Sequence, residues 1–290
     1  MNQQRYFGSL PTVLLSVLVA GWVLQGPGLL TGQTPEEHES SGATADPVPR
    51  TADGKPDFSG FWSFNLPNGA ADIETGVGPT GLGGGKVIVD PPNGLVPYTP
   101  PARAKAEDIA ANQMFLEPSL HCFPGGVPHQ TWMQFGAQYL QTEDYLLMTW
   151  EMNHDRRIIP LDGRPHQLPD TVRLFQGDSV GHWEGDTLVV DTTNQGARNW
   201  FDASGNYQPE DVGVVESFTM VDANTIHYRA TVTSAEFTQP MKVVGTISRA
   251  ETANPSYEQM EWGCIEGNKD LVHYTEDVGG KAHSVGAKTQ

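Results

Sequence analysis

The sequence predicts an all-β mature domain of antiparallel strands, closed as a barrel or stacked as a two-sheet sandwich, with one short helix. Three observations predict it. Apolar and polar residues alternate with period two in run after run beyond Pro56. The gaps between runs are short and rich in turn-forming residues, as antiparallel hairpins require. Helical character is confined to one segment, so the helices that a parallel α/β sheet needs between its strands are missing.

The alternating runs are Phe58–Asn65, Gln138–Thr142, Tyr145–Glu151, Arg156–Pro160, Thr187–Thr192, Val214–Thr219, Thr225–Thr233, Lys242–Ser248 and Tyr257–Gly263. Glu143-Asp144, Glu184-Gly185-Asp186 and Asp222-Ala223-Asn224 lie where hairpin turns belong. The helix is Ala102–Met114, which follows the cap and proline signature Thr99-Pro100-Pro101 and is filled with Ala, Lys, Glu and Gln. Gly60-Phe61-Trp62 has the Gly-x-Trp form found where lipocalin-like barrels close their base, which favours a lipocalin-like barrel over the sandwich. The plainer reading of the same residues is a core Trp beside a strand glycine.

Four segments follow from composition. Val13–Leu24 is an uninterrupted apolar run behind the single charge of Arg5, which makes residues 1–33 a signal peptide. A membrane anchor is the competing reading, but Gly21, Gly26, Pro27 and Gly28 hold the apolar stretch below the roughly 20 residues a span needs. Residues 34–55 are polar, rich in Pro, Gly and Ser, and read as a flexible tether. Residues 56–275 form the β domain and 276–290 a disordered tail. The expected location is periplasmic or secreted.

The chain carries 17 Lys and Arg against 35 Asp and Glu, a net charge of -18, and removal of the leader with Arg5 leaves 16 against 35, or -19. Such a field repels phosphates and anionic headgroups, which argues against nucleic acid and, after signal cleavage, against membrane surfaces as partners. Gly81-Leu82-Gly83-Gly84-Gly85-Lys86 imitates a phosphate loop, but Thr80 replaces its first glycine and Val87 its hydroxyl residue. No cofactor is implied. Histidines stand at 121, 129, 154, 166, 182, 227, 273 and 283 beyond the tether without any H-x-H or HExxH pair, so no metal site is assigned. The two cysteines, Cys122 and Cys264, read as one long-range disulfide in an oxidising compartment, with a two-thiolate metal site as the alternative.

Ionisable residues crowd between Arg156 and Thr193. In Asp162-Gly163-Arg164-Pro165-His166 a turn reverses the chain and Pro165 stiffens it. There His166 is a candidate proton carrier, with Asp162 or Glu184 as its carboxylate partner and Arg164 as an anion clamp. Each also has a structural reading, namely turn cap, ion pair and carbonyl donor. Glu184 and Asp186 flank Gly185 either as a plain tight turn or as an acid–base pair. Trp62, Trp132, Trp150, Trp183 and Trp262 are candidate lining for a ligand pocket, or core.

RRIIPLDGRPH, GDSVGHWEGDTLVVDTTN, Thr238-Gln239-Pro240, the CxPxGxP element Cys122–Pro128 and the closing Cys264-Ile265-Glu266-Gly267-Asn268 together resemble a family of exported bacterial β-rich proteins. The likeness runs from about Pro56 to Asn268. Gln239 stands where the family has Lys, Asn194-Gln195 where it has Asn-Phe, and His129 where Arg is frequent. The resemblance implies export, and a structural bridge between the CxPxGxP loop and the C-terminal strand; it implies no particular activity. Three functions remain open at this point: a binding protein for a small apolar or aromatic molecule, a cofactor-independent isomerase, lyase or hydrolase built on His166, and an envelope structural or interaction module.

Overall fold

Each alternating run sends its apolar parity to one side, and in the computed structural model that side is the interior of a barrel. Residues 46–64, 71–76, 87–133, 135–196 and 198–264 are described. The order is β1 (Gly60–Phe64), β2 (Ile88–Asp90), α1 (Pro100–Asn112), β3 (Ala137–Gln141), β4 (Tyr145–Trp150), β5 (Arg156–Pro160), β6 (Asp178–Glu184), β7 (Thr187–Thr193), β8 (Gly213–Asp222), β9 (Thr225–Thr233), β10 (Met241–Arg249) and α2 (Ala250–Ala253). Every strand pairing is antiparallel, along the path β5-β4-β3-β1-β10-β9-β8-β7-β6, with β2 extending the β1 side of the long β10. The three expected hairpin turns join β3 to β4, β6 to β7 and β8 to β9.

The interior is a dense layer of large side chains. Trp62, Trp132, Tyr139, Leu146, Met148, Ile159, Phe218 and Tyr228 are fully buried, each such group contributing about 1.5–3 kcal/mol on leaving water. Pro100 and Pro101 open α1, where a missing N–H costs nothing. Ala102, Ala106 and Ile109 form its buried face.

The path ends, β5 and β6, meet and nearly close the barrel. Gly163 N donates to Gly181 O at 3.0 Å across this seam. Gly181 is what allows the approach: a Cβ there would lie 3.1 Å from Ile159 Cγ2 and 3.2 Å from Leu161 Cδ2. Arg157 then spans the seam from inside. Its Nε donates to Ser179 Oγ at 2.9 Å on β6, and its Nη2 to Thr192 Oγ1 at 2.7 Å on β7 and to Glu216 Oε2 at 2.5 Å on β8. Both ends of the ion pair are almost wholly buried.

Several boundaries differ from the sequence expectation. Tyr257–Gly263 joins no ladder, because its residues lie across the outer face of the barrel and hydrogen-bond there to the Glu151 carboxylate and the Thr149 carbonyl. The short strand β2 went unread because three residues carry too little periodicity. Residues 46–55, assigned above to the tether, pack on the barrel: Arg50 forms a bidentate pair with Asp186 at 2.6 and 2.7 Å, Asp46 O accepts from Ala223 N, and Val48 reaches the core. Polar composition hid this, since the partners lie far away in sequence. The predicted signal peptide, residues 34–45, Gly81–Lys86 and the 276–290 tail lie outside the described residues.

Arg157→Leu should lower stability in urea unfolding by about 3–5 kcal/mol, because it leaves Glu216 buried without its cation. Adding Glu216→Leu should restore at least half of that loss; a double variant as unstable as the single one would show that the seam depends on something else.

Candidate functional site

The five residues proposed for acid–base chemistry are paired off separately on the outside of the barrel. Strand parity places Glu184 and the carboxylate of Asp178. Ser179, Gly181 and Trp183 occupy the inward positions of β6, so Asp178, His182 and Glu184 face out. Arg164 clamps Asp162 through Nε, at 2.8 and 3.0 Å, and through Nη2, at 2.8 Å, which holds the Asp162 carboxyl below its ordinary range. Glu184 sits 3.3 Å from His182 Nε2, and Asp186 is taken by Arg50. His166 lies between two outward carboxylates, its Nδ1 3.4 Å from Asp178 and its Nε2 3.4 Å from Asp191. The expected His166–Asp162 or His166–Glu184 couple is therefore not formed; each of those carboxylates has another partner.

The tryptophans do not share one pocket either. Trp62 and Trp132 are core, with indole N–H groups donated to Phe58 O and Phe201 O. Trp150 is buried beside them. Trp183 stacks on Phe58 at 5.8 Å with Lys55 Nζ 5.5 Å above its ring. Trp262 lies in the C-terminal segment, 4.5 Å from Phe135.

A buried polar cluster is what the sequence reading missed. Around Glu216 gather Arg157, Tyr228 (Oη to Oε1, 2.9 Å) and Thr131 (3.4 Å), with Ser179 and Thr192 sharing a 3.0 Å hydrogen bond behind the guanidinium. Arg157 Nη1 has no hydrogen-bond partner among the described residues. Burial, with the Glu216 charge added, raises the Tyr139 and Tyr228 phenols above their ordinary range, so both stay protonated. The available signal was parity: Arg157, Ser179, Thr192 and Glu216 all stand at inward positions where apolar residues belong. This cluster is enclosed and braces the seam.

A concave surface lies elsewhere. Beyond α2, residues 254–264 run as a strap over the outer face of β1, β3 and β4. Glu151, itself buried, accepts from Tyr257 Oη at 2.7 Å and from Met260 N at 2.8 Å. Gln259 exchanges hydrogen bonds with Thr149 O and Oγ1, both at 3.2 Å. The space at Gly136 is what seats Tyr257, since a Cβ there would collide with the Tyr257 hydroxyl. Between strap and sheet lies a groove of about 560 Å³ lined by Phe61, Gln138, Tyr257, Glu258, Gln259, Met260 and Glu261. Phe61 and Tyr257 meet edge to face at 5.5 Å.

The turn between β4 and β5 anchors the strap. Asn153 and His154 adopt positive φ, which aims Asn153 Nδ2 at Phe123 O (2.8 Å) and His154 Nε2 at Cys264 O (3.2 Å). Cys122 and Cys264 lie at disulfide distance, with Cα atoms 5.6 Å apart. This ties the strap to the CxPxGxP loop, whose Val127 N is held by Gln195 Oε1 at 2.7 Å and whose Val127 O is held by Gln208 Nε2 at 2.6 Å. Gln195 thus has a defined bond in this chain. His129 is buried with its ring 6.4 Å from Trp132.

These features define a disulfide-linked antiparallel β-barrel with a strapped outer groove. Among the described residues no group of His, Cys, Asp and Glu is placed to hold a metal ion, and no helix is long and apolar enough to cross a membrane. Compared with known proteins, the chain matches no family model and no curated protein.

Two outcomes are expected. Cys264→Ser should cost about 2–4 kcal/mol of stability, the usual yield of a bridge closing a long loop, and should raise amide exchange selectively over residues 257–264; unchanged exchange there would show that the strap holds without the bridge. The second concerns Asp155, which caps the same turn. Burial raises its carboxyl from 3.8 to about 7 against hydrogen bonds from Arg156 N and Gln176 Nε2. Between those values the folded protein keeps a proton that the unfolded chain has lost, so the contribution of Asp155 to stability is present at low pH and falls as pH rises. Asp155→Asn should therefore gain on wild type as pH goes from about 4 to 7, by at most ~1.4 kcal/mol per pH unit. A difference that stays flat over this window in pH-dependent urea unfolding would contradict it.

Proposed function

We propose that the protein is an exported, lipocalin-like barrel, periplasmic or secreted, that binds a small apolar or aromatic molecule in the groove between β1, β3 and the strap. The observation that carries this is the groove itself. It has a volume of about 560 Å³ and opens broadly to solvent, a size in the range of small-molecule sites, roughly 300–1,000 Å³. Phe61, Tyr257 and Met260 offer apolar contact while Gln138 and Gln259 offer hydrogen bonds at its rim. Export is supported by the apolar run Val13–Leu24 and by the cysteine pair, which suits an oxidising compartment. Binding is favoured over proton-transfer catalysis because Asp162, Glu184 and Asp186 each have a partner other than His166, whose ring nitrogens lie 3.4 Å from Asp178 and Asp191 without a hydrogen bond among the described residues. The acidic surface supports neither nucleic acid nor anionic membrane as a partner.

Titration of the oxidised mature protein with benzyl alcohol, followed by NMR of the ring signals, should give saturable shifts at Phe61 and Tyr257. Phe61→Ala should weaken binding about five- to tenfold, the worth of one lost aromatic contact. Shifts confined to Trp62 and Trp132 would move the ligand into the barrel and overturn the groove as its site.

A further inference from the structure

Beyond its shape, the groove has a charge. Glu258 and Glu261 stand on its strap wall, both exposed, and neither has an ion-pair partner among the described residues. Glu151 does not line the groove but holds its strap wall, accepting the Tyr257 hydroxyl and the Met260 amide. No basic side chain lines the space. This arrangement sits within a chain whose net charge is -18, so the wider field has the same sign as the groove.

The apolar lining suits the same kind of guest. The faces of Phe61 and Tyr257 carry the negative lobe of the ring quadrupole, which attracts a cation placed within roughly 6 Å. Tyr257 donates its hydroxyl to Glu151, and burial together with that bond keeps the phenol protonated. Its O–H is already committed to Glu151, so what it has left for a ligand is its ring, which meets Phe61 edge to face. Met260 presents a polarisable thioether on a side chain that is 73% exposed. Aromatic faces, a thioether and unpaired carboxylates form a poor site for an anion and an adequate but undistinguished one for a neutral molecule. Their shared complement is a positive charge dispersed over apolar groups.

We infer that the ligand of this groove is an organic cation, an ammonium carried on an aromatic or alkyl body, with the rings of Phe61 and Tyr257 and the carboxylates of Glu258 and Glu261 recognising its charged head. The assignment rests on the groove being a small-molecule site, as proposed above, and adds the chemical class of the guest. The capture of such a cation is steered from a distance by the acidic surface and weakens with added salt.

The test uses the oxidised mature protein and three probes of similar size: benzyltrimethylammonium, benzyl alcohol and benzoate, each titrated by calorimetry and by NMR of the Phe61 and Tyr257 rings. The expected result is that the ammonium binds about tenfold more tightly than benzyl alcohol, that benzoate does not bind, and that the preference shrinks when salt is raised to about 0.5 M. Glu258→Gln combined with Glu261→Gln should bring the ammonium affinity down about tenfold and leave that of benzyl alcohol unchanged. If benzyl alcohol shifts the same rings and binds as tightly as the ammonium, the cation assignment falls and the binding site stands. A preference for the ammonium that survives the double substitution also overturns the assignment, since the charge would then be read elsewhere. If none of the three probes perturbs Phe61 or Tyr257, the binding site and the cation fall together.

Discussion

A barrel must close, and in this protein closure rests on one buried ion pair. The strands at the two ends of the sheet, β5 and β6, share little backbone ladder, so side chains do the joining. Arg157 reaches from β5 to hydroxyls on β6 and β7 and to Glu216 on β8. Taking both charges out of water is expensive, and the attraction between them offsets that cost only because further hydrogen bonds surround them. Tyr228, Ser179 and Thr192 supply those bonds. The cluster therefore fixes which strands meet, a choice that the apolar interior alone would leave loosely specified.

A second device acts at the turn that leads into β5. The short turn 151–155 holds two segments that have no ladder of their own, the CxPxGxP loop through Asn153 and the strap through Glu151 and His154. The Cys122–Cys264 pair joins those two segments to each other. Two residues with positive φ are needed to aim the side chains, which explains why Asn and His stand where an ordinary hairpin would place glycine. The groove owes its strap wall to this clamp, so its shape depends on a turn and a bridge that are themselves outside the strand core.

Much of the fold was legible because it depends on local periodicity. Arg156–Pro160 and Thr225–Thr233 were read to the residue, and the hairpin turns fell at acidic and glycine-bearing dipeptides as expected. Tyr257–Gly263 shows where that signal misleads: alternation reports a half-buried extended segment, and a strap on an outer face satisfies it as well as a strand does. The candidate site was legible only in part. His166, Asp162, Arg164, Glu184 and Asp186 were noticed for their density, yet density along a chain says nothing of convergence: Asp162 and Arg164 pair with each other, Asp186 with Arg50, Glu184 with His182, and His166 lies between Asp178 and Asp191. Arg157 and Glu216 were passed over although both sit at inward positions, the one place where a charge demands an explanation.

The sequence by itself determined most of the strands and their facing, though β2 and β6 were not among the runs read, together with the single main helix and the two cysteines available for a bridge, because turn chemistry and period-two alternation act over a few residues. Only the tertiary structure decided that Arg50 meets Asp186, that Arg157 meets Glu216 across the seam, and that the strap folds back over Phe61 to form a groove. Those contacts join residues 59 to nearly 200 positions apart. At such separations local patterning carries no information, and the pairing is selected by the packing of the whole barrel.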